Sequence, residues 1–193
     1  MTPLRSAATW PRRGRAREAW LLKRADPFAL LMCGPSLAGK STLARALVPL
    51  LDAASVSADD INAERGLPFG AEGLPEAVWA ETLRIELERV EHAGRRRQAV
   101  VVDDTCCYRW LRDRFRTACL GAGLTPVLLV VQTDWDELRS RHAQALAAAQ
   151  RPVLSLASLE HHFSTFEWPG ADEPHLNVAG LSASQVAQAL RVR

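Results

Sequence analysis

The octapeptide Gly34-Pro35-Ser36-Leu37-Ala38-Gly39-Lys40-Ser41 matches the pattern GxxxxGK[ST] at every specified position. Loops of this kind surround an anion with main-chain N–H groups, and glycines stand where a Cβ would crowd it. A helix that begins near Lys40 adds the positive end of its dipole. The pattern therefore predicts that residues 34–41, with Thr42, hold the phosphates of ATP or GTP.

The surroundings of this phosphate loop (residues 34–41) agree with the motif. An apolar run, Phe28–Cys33, precedes it and a helical stretch, Thr42–Leu47, follows it, which is the strand–loop–helix context that the motif requires. Lys40 is expected to reach the β- and γ-phosphates, and the Ser41 hydroxyl is expected to ligate Mg²⁺. No motif specific for one nucleobase is visible.

The rest of the chain alternates between strand and helix patterns. Strands are predicted at Phe28–Cys33, Ala54–Ser57, Ala99–Asp103, Pro126–Val131 and His175–Val178. Helices are predicted at Lys40–Leu51, Glu76–Ala93, Tyr108–Leu120, Asp134–Gln150, Leu156–Phe166 and Ser182–Arg191, with Gly94 as the stop of the second and Ala58–Gly73 as a loop-rich connection. This alternation predicts an α/β fold with a parallel sheet that helices cover on both faces.

Composition favours an ordinary cytoplasmic domain. The chain has 193 residues, of which 48% are hydrophobic, so a sizeable core can form. No apolar run reaches the length of a membrane span, and the N-terminus lacks a signal-peptide pattern, so no membrane association is expected. The four cysteines form neither a CxxC pair nor a zinc-type spacing, which predicts reduced thiols.

Charge divides the chain at about residue 27. Residues 1–27 contain seven Lys or Arg and two acids, which leaves 17 basic and 20 acidic residues in the remainder. We therefore predict a basic N-terminal extension, residues 1–27, and one P-loop domain, residues 28–193. The extension could contact RNA or DNA, but a solvated extension or a short docking helix is the stronger interpretation.

Acidic residues follow the second and third strands directly, at the edge where parallel α/β sheets bind ligands. Val100-Val101-Val102-Asp103-Asp104 has the form of a Walker B strand, so either Asp103 or Asp104 is expected near Mg²⁺. After the second strand, Asp59 could take a proton from an acceptor hydroxyl, or it could cap the next turn. We assign the proton to Asp59 and the cap mainly to Asp60.

Arginines after the fourth strand could supply the positive charge that phosphoryl transfer needs. The candidates are Arg139, Arg141 and Arg151. Because Arg139 and Arg141 are two residues apart on a helix, at most one of them should point at the nucleotide. Arg151 lies beyond the predicted helix, where a mobile lid would be placed.

The order of these parts resembles the P-loop kinases related to the phage polynucleotide 5′-kinase, with zeta toxins, chloramphenicol phosphotransferase and seryl-tRNA kinase as cousins, all AAA-type ATP-binding proteins. The resemblance runs from about Phe28 to Val178. It is carried by the phosphate loop, by Val56–Asp60, by Val101–Thr105, and by Trp135–Arg141 with Arg151-Pro152-Val153.

The resemblance implies a P-loop NTPase fold with strand order 2-3-1-4-5, and ATP rather than GTP as the nucleotide. It places the general base on Asp59, the acceptor-side contacts on Asp104 and Thr105, and the lid arginines on Arg141 and Arg151. The polynucleotide kinases have arginines around the catalytic aspartate, but here the neighbours are Ala58 and Asn62. Binding of a nucleic acid end is therefore not implied.

Two functions follow from these observations. The first is an ATP-dependent phosphotransferase that moves the γ-phosphate to a hydroxyl of a small molecule or of a nucleic acid 5′-end, with Mg²⁺. The alternative is a nucleotide-binding ATPase or switch that engages a partner and transfers nothing. The acceptor itself is not encoded in any motif.

Overall fold

Five parallel strands form the centre of the protein in the order β2-β3-β1-β4-β5. A computed structural model describes residues 27–68, 73–149 and 152–190. The strands are β1 (Phe28–Cys33), β2 (Ala54–Ser57), β3 (Val100–Asp103), β4 (Thr125–Val130) and β5 (His175–Asn177). All five predicted strands are confirmed with ends shifted by at most one residue, and so is the order, which is that of the P-loop NTPase fold.

Seven helices connect or flank these strands in the described part of the chain. They are α1 (Lys40–Leu51), α2 (Ala58–Glu64), α3 (Glu76–Arg95), α4 (Arg109–Gly121), α5 (Trp135–Ala148), α6 (Leu156–Ser164) and α7 (Ala183–Ala189). Six of them were predicted, with ends that differ by at most two residues. Helix α2 was not.

Helix α2 corrects the prediction of a loop-rich connection after β2. Its N-cap is Ser57, whose hydroxyl accepts a hydrogen bond from the Asp60 backbone N–H at 3.2 Å. The capping role assigned to Asp60 is therefore wrong. With seven residues, α2 is too short to show helical periodicity in the sequence.

Two apolar cores cover the two faces of the sheet. On one face α1 and α7 pack against side chains such as Leu30, Met32 and Leu129. On the other face α3 and α4 pack against Leu31, Val102 and Leu128. Strand β1 is buried along its whole length, as its continuous apolar sequence predicts. This packing holds the carboxyl ends of the central strands in place at one edge of the sheet.

Gly94 lies inside α3 and does not stop it, because the helix continues to Arg95. A Cβ added at Gly94 would lie 2.5 Å from both the Cβ and the carbonyl oxygen of Ala122, just after α4. The glycine therefore permits the close approach of α3 to the end of α4. The prediction that Gly94 ends the helix is therefore wrong. A glycine is needed at this position because of the tertiary contact with Ala122.

Some predictions fall outside the described residues. These are most of the basic extension, Arg151, and the end of the last helix at Arg191. Among the helices that the structure describes, none is long and apolar enough to cross a membrane.

Replacing Gly94 by alanine is expected to lower the free energy of unfolding. The new methyl group would collide with Ala122, and overpacking of this kind costs about 1–3 kcal/mol. This cost exceeds the stability that the higher helix propensity of alanine adds. Urea denaturation of the parent and the variant measures the difference.

Gly121→Ala is the matched control, because a Cβ at this exposed helical glycine meets nothing within 4 Å. It should leave stability unchanged or raise it by up to about 1 kcal/mol. Equal effects of the two substitutions would contradict the packing role of Gly94.

Candidate functional site

The phosphate loop joins the carboxyl end of β1 to the first residue of α1. At its start the Gly34 N–H donates to the Thr105 carbonyl oxygen at 3.0 Å, which ties the loop to the segment after β3. At its end Gly39 takes a left-handed conformation with φ of 104° and precedes the first turn of α1. The main-chain N–H groups at the start of α1 therefore face the space above the sheet edge.

Gly34 is required for a steric reason. A Cβ at this position would lie 2.7 Å from the Val131 carbonyl oxygen, just after β4. No side chain other than hydrogen fits between the loop and β4. The motif therefore needs Gly39 for its left-handed backbone conformation and Gly34 for the close approach of the loop to Val131.

The Lys40 side chain is buried at the centre of the site. Its ammonium group donates to the Pro35 carbonyl oxygen at 3.0 Å, so the lysine lies across the loop that it follows. Burial lowers the pKa of Lys40, and the nearby charges of Asp103, Asp104 and Asp59 act in the opposite direction. The structure therefore brings the predicted lysine and all three predicted aspartates into one electrostatic cluster.

The two aspartates after β3 have different surroundings. Asp104 Oδ1 accepts from the Cys106 backbone N–H at 2.6 Å and from the Thr105 hydroxyl at 3.3 Å. Burial raises the pKa of Asp104, and these bonds and Lys40 counteract the increase. Asp103 is the last residue of β3 and exerts the larger effect on Lys40. Asp104 thus orders its own loop, whereas the charge of Asp103 acts on Lys40.

The donor set suits Mg²⁺ bound together with a phosphate group. Mg²⁺ in such sites is held by one or two protein oxygens and by the phosphates of the nucleotide. Ser41, in the first turn of α1, and Asp103, at the end of β3, supply a hydroxyl and a carboxylate. In the described residues no group of three or more His, Cys, Asp or Glu could hold a metal by itself. Ser41 and Asp103 are the residues that would hold it.

Asp59 stands in the first turn of α2, beyond the carboxyl end of β2. It is exposed, and its charge is close enough to contribute to the pKa of Lys40. Because Ser57 caps the helix, the Asp59 side chain is not needed for that role. An exposed carboxylate whose charge acts on Lys40 can orient and deprotonate a hydroxyl group.

Of the three candidate arginines, Arg141 contacts the phosphate loop. Its guanidinium donates to the carbonyl oxygens of Leu37 at 3.0 Å and Ala38 at 2.8 Å, and its Nε donates to Glu137 at 2.8 Å. Arg139, two residues earlier, is exposed. That at most one of this pair faces the nucleotide stays a prediction, and Arg151 lies outside the described residues.

Two buried polar side chains next to these aspartates were missed from the sequence. Glu86, on α3, is 1% exposed, and its Oε1 has no hydrogen-bond partner. Asn62, on α2, is 2% exposed, and its Nδ2 has none. A signal did exist, because Leu83, Glu86 and Val90 follow helical spacing along one buried stripe, where a carboxyl group is unexpected.

The tail segment, residues 166–174, buttresses the loop that carries Asp104. Arg112 and Glu173 are almost fully buried and form a two-bonded ion pair, with N–O distances of 2.8 and 2.7 Å. The same guanidinium donates to the carbonyl oxygens of Cys106 at 2.9 Å and Glu167 at 2.8 Å. No role for this segment could be predicted, because the contacts join residues that are far apart in the sequence.

The tryptophans and histidines of the helices differ in exposure. Trp79 and Trp110 are 41% and 53% exposed. Trp135 is half-buried and packs against Phe163 of α6, with ring centroids 5.5 Å apart. Burial, with Lys40 nearby, lowers the pKa of His162 to about 4, so this imidazole is neutral at physiological pH.

Comparison with known proteins agrees with this geometry. Residues 30–168 match the protein family described as the AAA domain. No curated protein sequence matches the chain significantly. The family match spans the phosphate loop, all three aspartates and Arg141.

Solved structures share the fold at low sequence identity. The Mycobacterium tuberculosis APS kinase CysC, in complex with AMPPNP and APS, is 19% identical with a TM-score of 0.65 over 86% of this chain and 98% of that one. The Sinorhizobium meliloti gluconokinase is 20% identical, with a TM-score of 0.60 over 86% and 90%. A chain of the Pnkp1/Rnl/Hen1 RNA repair complex is 20% identical, with a TM-score of 0.60 over 72% and 43%. The resemblance to P-loop kinases is confirmed.

Glu173→Gln is expected to lower the free energy of unfolding by about 3 kcal/mol, because it leaves the buried Arg112 guanidinium without its counter-charge. Urea denaturation tests this. Asp172→Asn is the control, since Asp172 pairs with Arg109 at the surface and its loss should matter far less. Similar losses of stability in the two variants would contradict the supporting role of the Arg112–Glu173 ion pair.

Glu86→Gln is expected to raise thermal stability at about pH 8 and to change it little at about pH 4. Burial, followed by the charges of Asp104, Asp103 and Asp59, raises the pKa of Glu86 well above its ordinary value, against the charge of Arg89. At a pH above the pKa of Glu86 in the unfolded chain, the folded protein keeps a proton on the Glu86 carboxyl that the unfolded chain releases. The parent therefore loses stability as pH rises, and glutamine removes this loss.

Calorimetric melting temperatures of both proteins at the two pH values measure the effect. Glu91→Gln, an exposed change on the same helix, is the control and should follow the parent. If the difference between Glu86→Gln and the parent does not grow with pH, the raised pKa of Glu86 is not its cause.

Proposed function

Because the chain belongs to the AAA domain family, we propose that it is an ATP-dependent kinase that transfers the γ-phosphate of ATP to a hydroxyl group. The observation that carries the proposal is the cluster around Lys40, in which a phosphate-loop ammonium group lies among the charges of Asp59, Asp103 and Asp104. Phosphoryl transfer to an alcohol requires a positive charge that binds the phosphates and a carboxylate that takes the hydroxyl proton.

The transfer step assigns a role to each group. The acceptor hydroxyl gives its proton to the Asp59 carboxylate as its oxygen forms a bond to the γ-phosphorus. The bond from that phosphorus to the β–γ bridging oxygen breaks, and ADP leaves with the electron pair. Lys40 and the N–H groups of residues 34–42 stabilise the negative charge on the phosphate oxygens.

Four further groups of residues complete the proposed site. Arg141, already held against the phosphate loop, supplies positive charge on the lid side. Ser41 and Asp103 would hold Mg²⁺, which neutralises charge on the phosphates when bound. Asp104 and Thr105 stand on the acceptor side, where Asp104 is ordered by the Cys106 N–H. Arg151 keeps its proposed lid role from sequence alone.

ATP is proposed as the nucleotide because the similar APS kinase was solved with AMPPNP, an ATP analogue. The acceptors of the similar proteins differ in kind, and a gluconokinase and an APS kinase stand beside a protein of RNA repair. The fold therefore supports transfer to an alcohol without indicating which alcohol.

Asp59→Asn is expected to lower kcat for phosphoryl transfer by about 10²–10⁴-fold, because the amide cannot accept the hydroxyl proton. ATP affinity should change little, since Asp59 faces the acceptor. Transfer from γ-labelled ATP to the fastest acceptor of a hydroxyl-compound panel measures the rate, and calorimetry measures ATP affinity.

Asp60→Asn is the matched control, because Asp60 is the exposed next residue and only its backbone N–H is used. It should retain transfer within about twofold. Lys40→Ala should lose ATP affinity. Full transfer by Asp59→Asn would exclude this base, and ADP formation with no labelled acceptor would favour the ATPase or switch alternative.

A further inference from the structure

Two consecutive peptide groups of the phosphate loop are bonded to one arginine of α5. Nη1 of Arg141 donates to the carbonyl oxygen of Leu37 at 3.0 Å and to that of Ala38 at 2.8 Å. A Cβ added at Gly39 would lie 3.9 Å from the same nitrogen. The guanidinium therefore lies against the peptide groups that join residues 37 to 38 and 38 to 39.

The planarity of these peptide groups determines where their N–H groups point. No peptide bond in the described residues is cis, and in a trans peptide the N–H points away from the carbonyl oxygen. The Ala38 N–H donates to the Pro35 carbonyl oxygen at 3.2 Å, and the Lys40 ammonium group donates to the same oxygen at 3.0 Å. Arg141 and Lys40 thus bond opposite sides of the loop.

The next peptide group is oriented in the same way relative to Arg141. Its carbonyl oxygen, that of Ala38, accepts from Arg141, so its N–H, that of Gly39, points away from the guanidinium. In the described residues no backbone carbonyl oxygen accepts from this N–H. Loops with this motif bind phosphate oxygens through such main-chain N–H groups. The bond from Arg141 therefore favours the orientation in which the Gly39 N–H is offered to a bound phosphate.

The loop is strained where Arg141 contacts it. Leu37 has a φ of 67°, in the left-handed region that is unfavourable for a residue with a Cβ. Its carbonyl oxygen is one of the two that accept from Arg141. Hydrogen bonds from a charged donor are roughly twice as strong as those between neutral groups, so these two bonds act against the relaxation of Leu37.

Arg141 is itself held in place by the first turn of α5. Its Nε donates to Oε1 of Glu137, one helical turn earlier, at 2.8 Å. The Glu137 backbone N–H donates to the side chain of Asp134, the N-cap of the helix, at 2.8 Å. With Nε on the glutamate and Nη1 on two loop carbonyls, the planar guanidinium has one defined orientation. A chain of contacts thus connects the start of α5 to the phosphate loop.

We propose that Glu137 and Arg141 are positioning residues that hold the phosphate loop in its anion-binding conformation. The inference rests on the proposed nucleotide-dependent function, and it adds to the lid charge of Arg141 a second role that acts through the loop. A guanidinium polarises the peptide groups that accept its hydrogen bonds, so the N–H on the far side of each becomes a better donor to phosphate. Glu137 acts only through Arg141, since its own charge would repel a phosphate.

The affinity for ADP tests the role of Arg141, because ADP lacks the γ-phosphate on which the lid charge acts. Arg141→Ala is expected to raise the Kd for ADP and for ATP at least about tenfold, since two charge-assisted bonds to the loop are lost. Arg141→Lys keeps the charge but loses the planar fork, and its Kd for ADP should stay at least about fivefold above that of the parent. Calorimetric titration of the full chain with each nucleotide and Mg²⁺ measures these values.

An ADP Kd of Arg141→Ala within about twofold of the parent, or full recovery in Arg141→Lys, would overturn the inference, because charge alone would then account for Arg141. Melting temperatures without nucleotide show whether the variants fold. If the alanine variant does not fold, Arg141→Met replaces it under the same criteria.

The direction of the effect at Glu137 separates positioning from charge. Glu137→Ala removes a negative charge close to the phosphate loop, and charge alone would strengthen nucleotide binding. Positioning predicts the opposite, a rise in the ADP Kd of about two- to fivefold, because the ion pair with Arg141 is half exposed. Asp136→Ala is the matched control, since Asp136 is an exposed acid in the same first turn, and its Kd should stay unchanged or fall.

The double variant shows whether Glu137 acts through Arg141. Adding Glu137→Ala to Arg141→Ala should raise the ADP Kd no further. A second rise of the same size, or tighter binding by Glu137→Ala alone, would refute the positioning role of Glu137.

The kinase proposal is tested separately by transfer from γ-labelled ATP. The expected Kd changes in a protein that phosphorylates no acceptor would support the loop role and count against the kinase. Unchanged Kd values in variants of a protein that does transfer phosphate would overturn the inference and leave the kinase proposal intact.

Discussion

The buried ammonium group of Lys40 is the interaction on which the geometry of this protein depends. A lysine out of contact with water is costly unless charges of opposite sign lie close to it. Here those charges come from the end of β3 and the start of α2. They can reach Lys40 because β3 lies between β1 and β2 in the sheet, so the three strands end side by side. The strand order thus assembles the site.

Much of this could be predicted because the signals are local. Continuous apolar runs such as Phe28–Cys33 predict buried strands, and the phosphate-loop motif predicts both a conformation and a ligand. Local signals fail where a residue serves a distant partner. Gly94 looks like a helix stop but accommodates Ala122, and Asp60 looks like a cap although Ser57 performs that role. Helix α2 was missed because seven residues cannot display a helical period.

The candidate site shows the same limit at the level of side chains. Sequence spacing predicts that at most one of Arg139 and Arg141 faces the nucleotide, and the contacts with the Leu37 and Ala38 carbonyls make Arg141 the better candidate. The adjacent aspartates after β3 are equivalent in sequence. They differ because the Cys106 N–H turns Asp104 into its own loop. Glu86 could not be placed beside them without knowing how α3 packs, since its position in the chain only marks it as unusual.

Positive and negative groups meet at the carboxyl edge of the sheet. Arg141 and Lys40 lie with the phosphate loop, and the charges of Asp59 and Asp104 act on Lys40 from the start of α2 and from the segment after β3. This arrangement suits the proposed transfer, because the transferred group arrives with negative charge and the acceptor arrives with a proton to lose. It also requires rigidity, since carboxyl groups that repel one another would move apart in a soft loop. The bonds from Arg112 to the Cys106 carbonyl and to Glu173 provide that rigidity beneath the acceptor side, from residues that touch neither substrate.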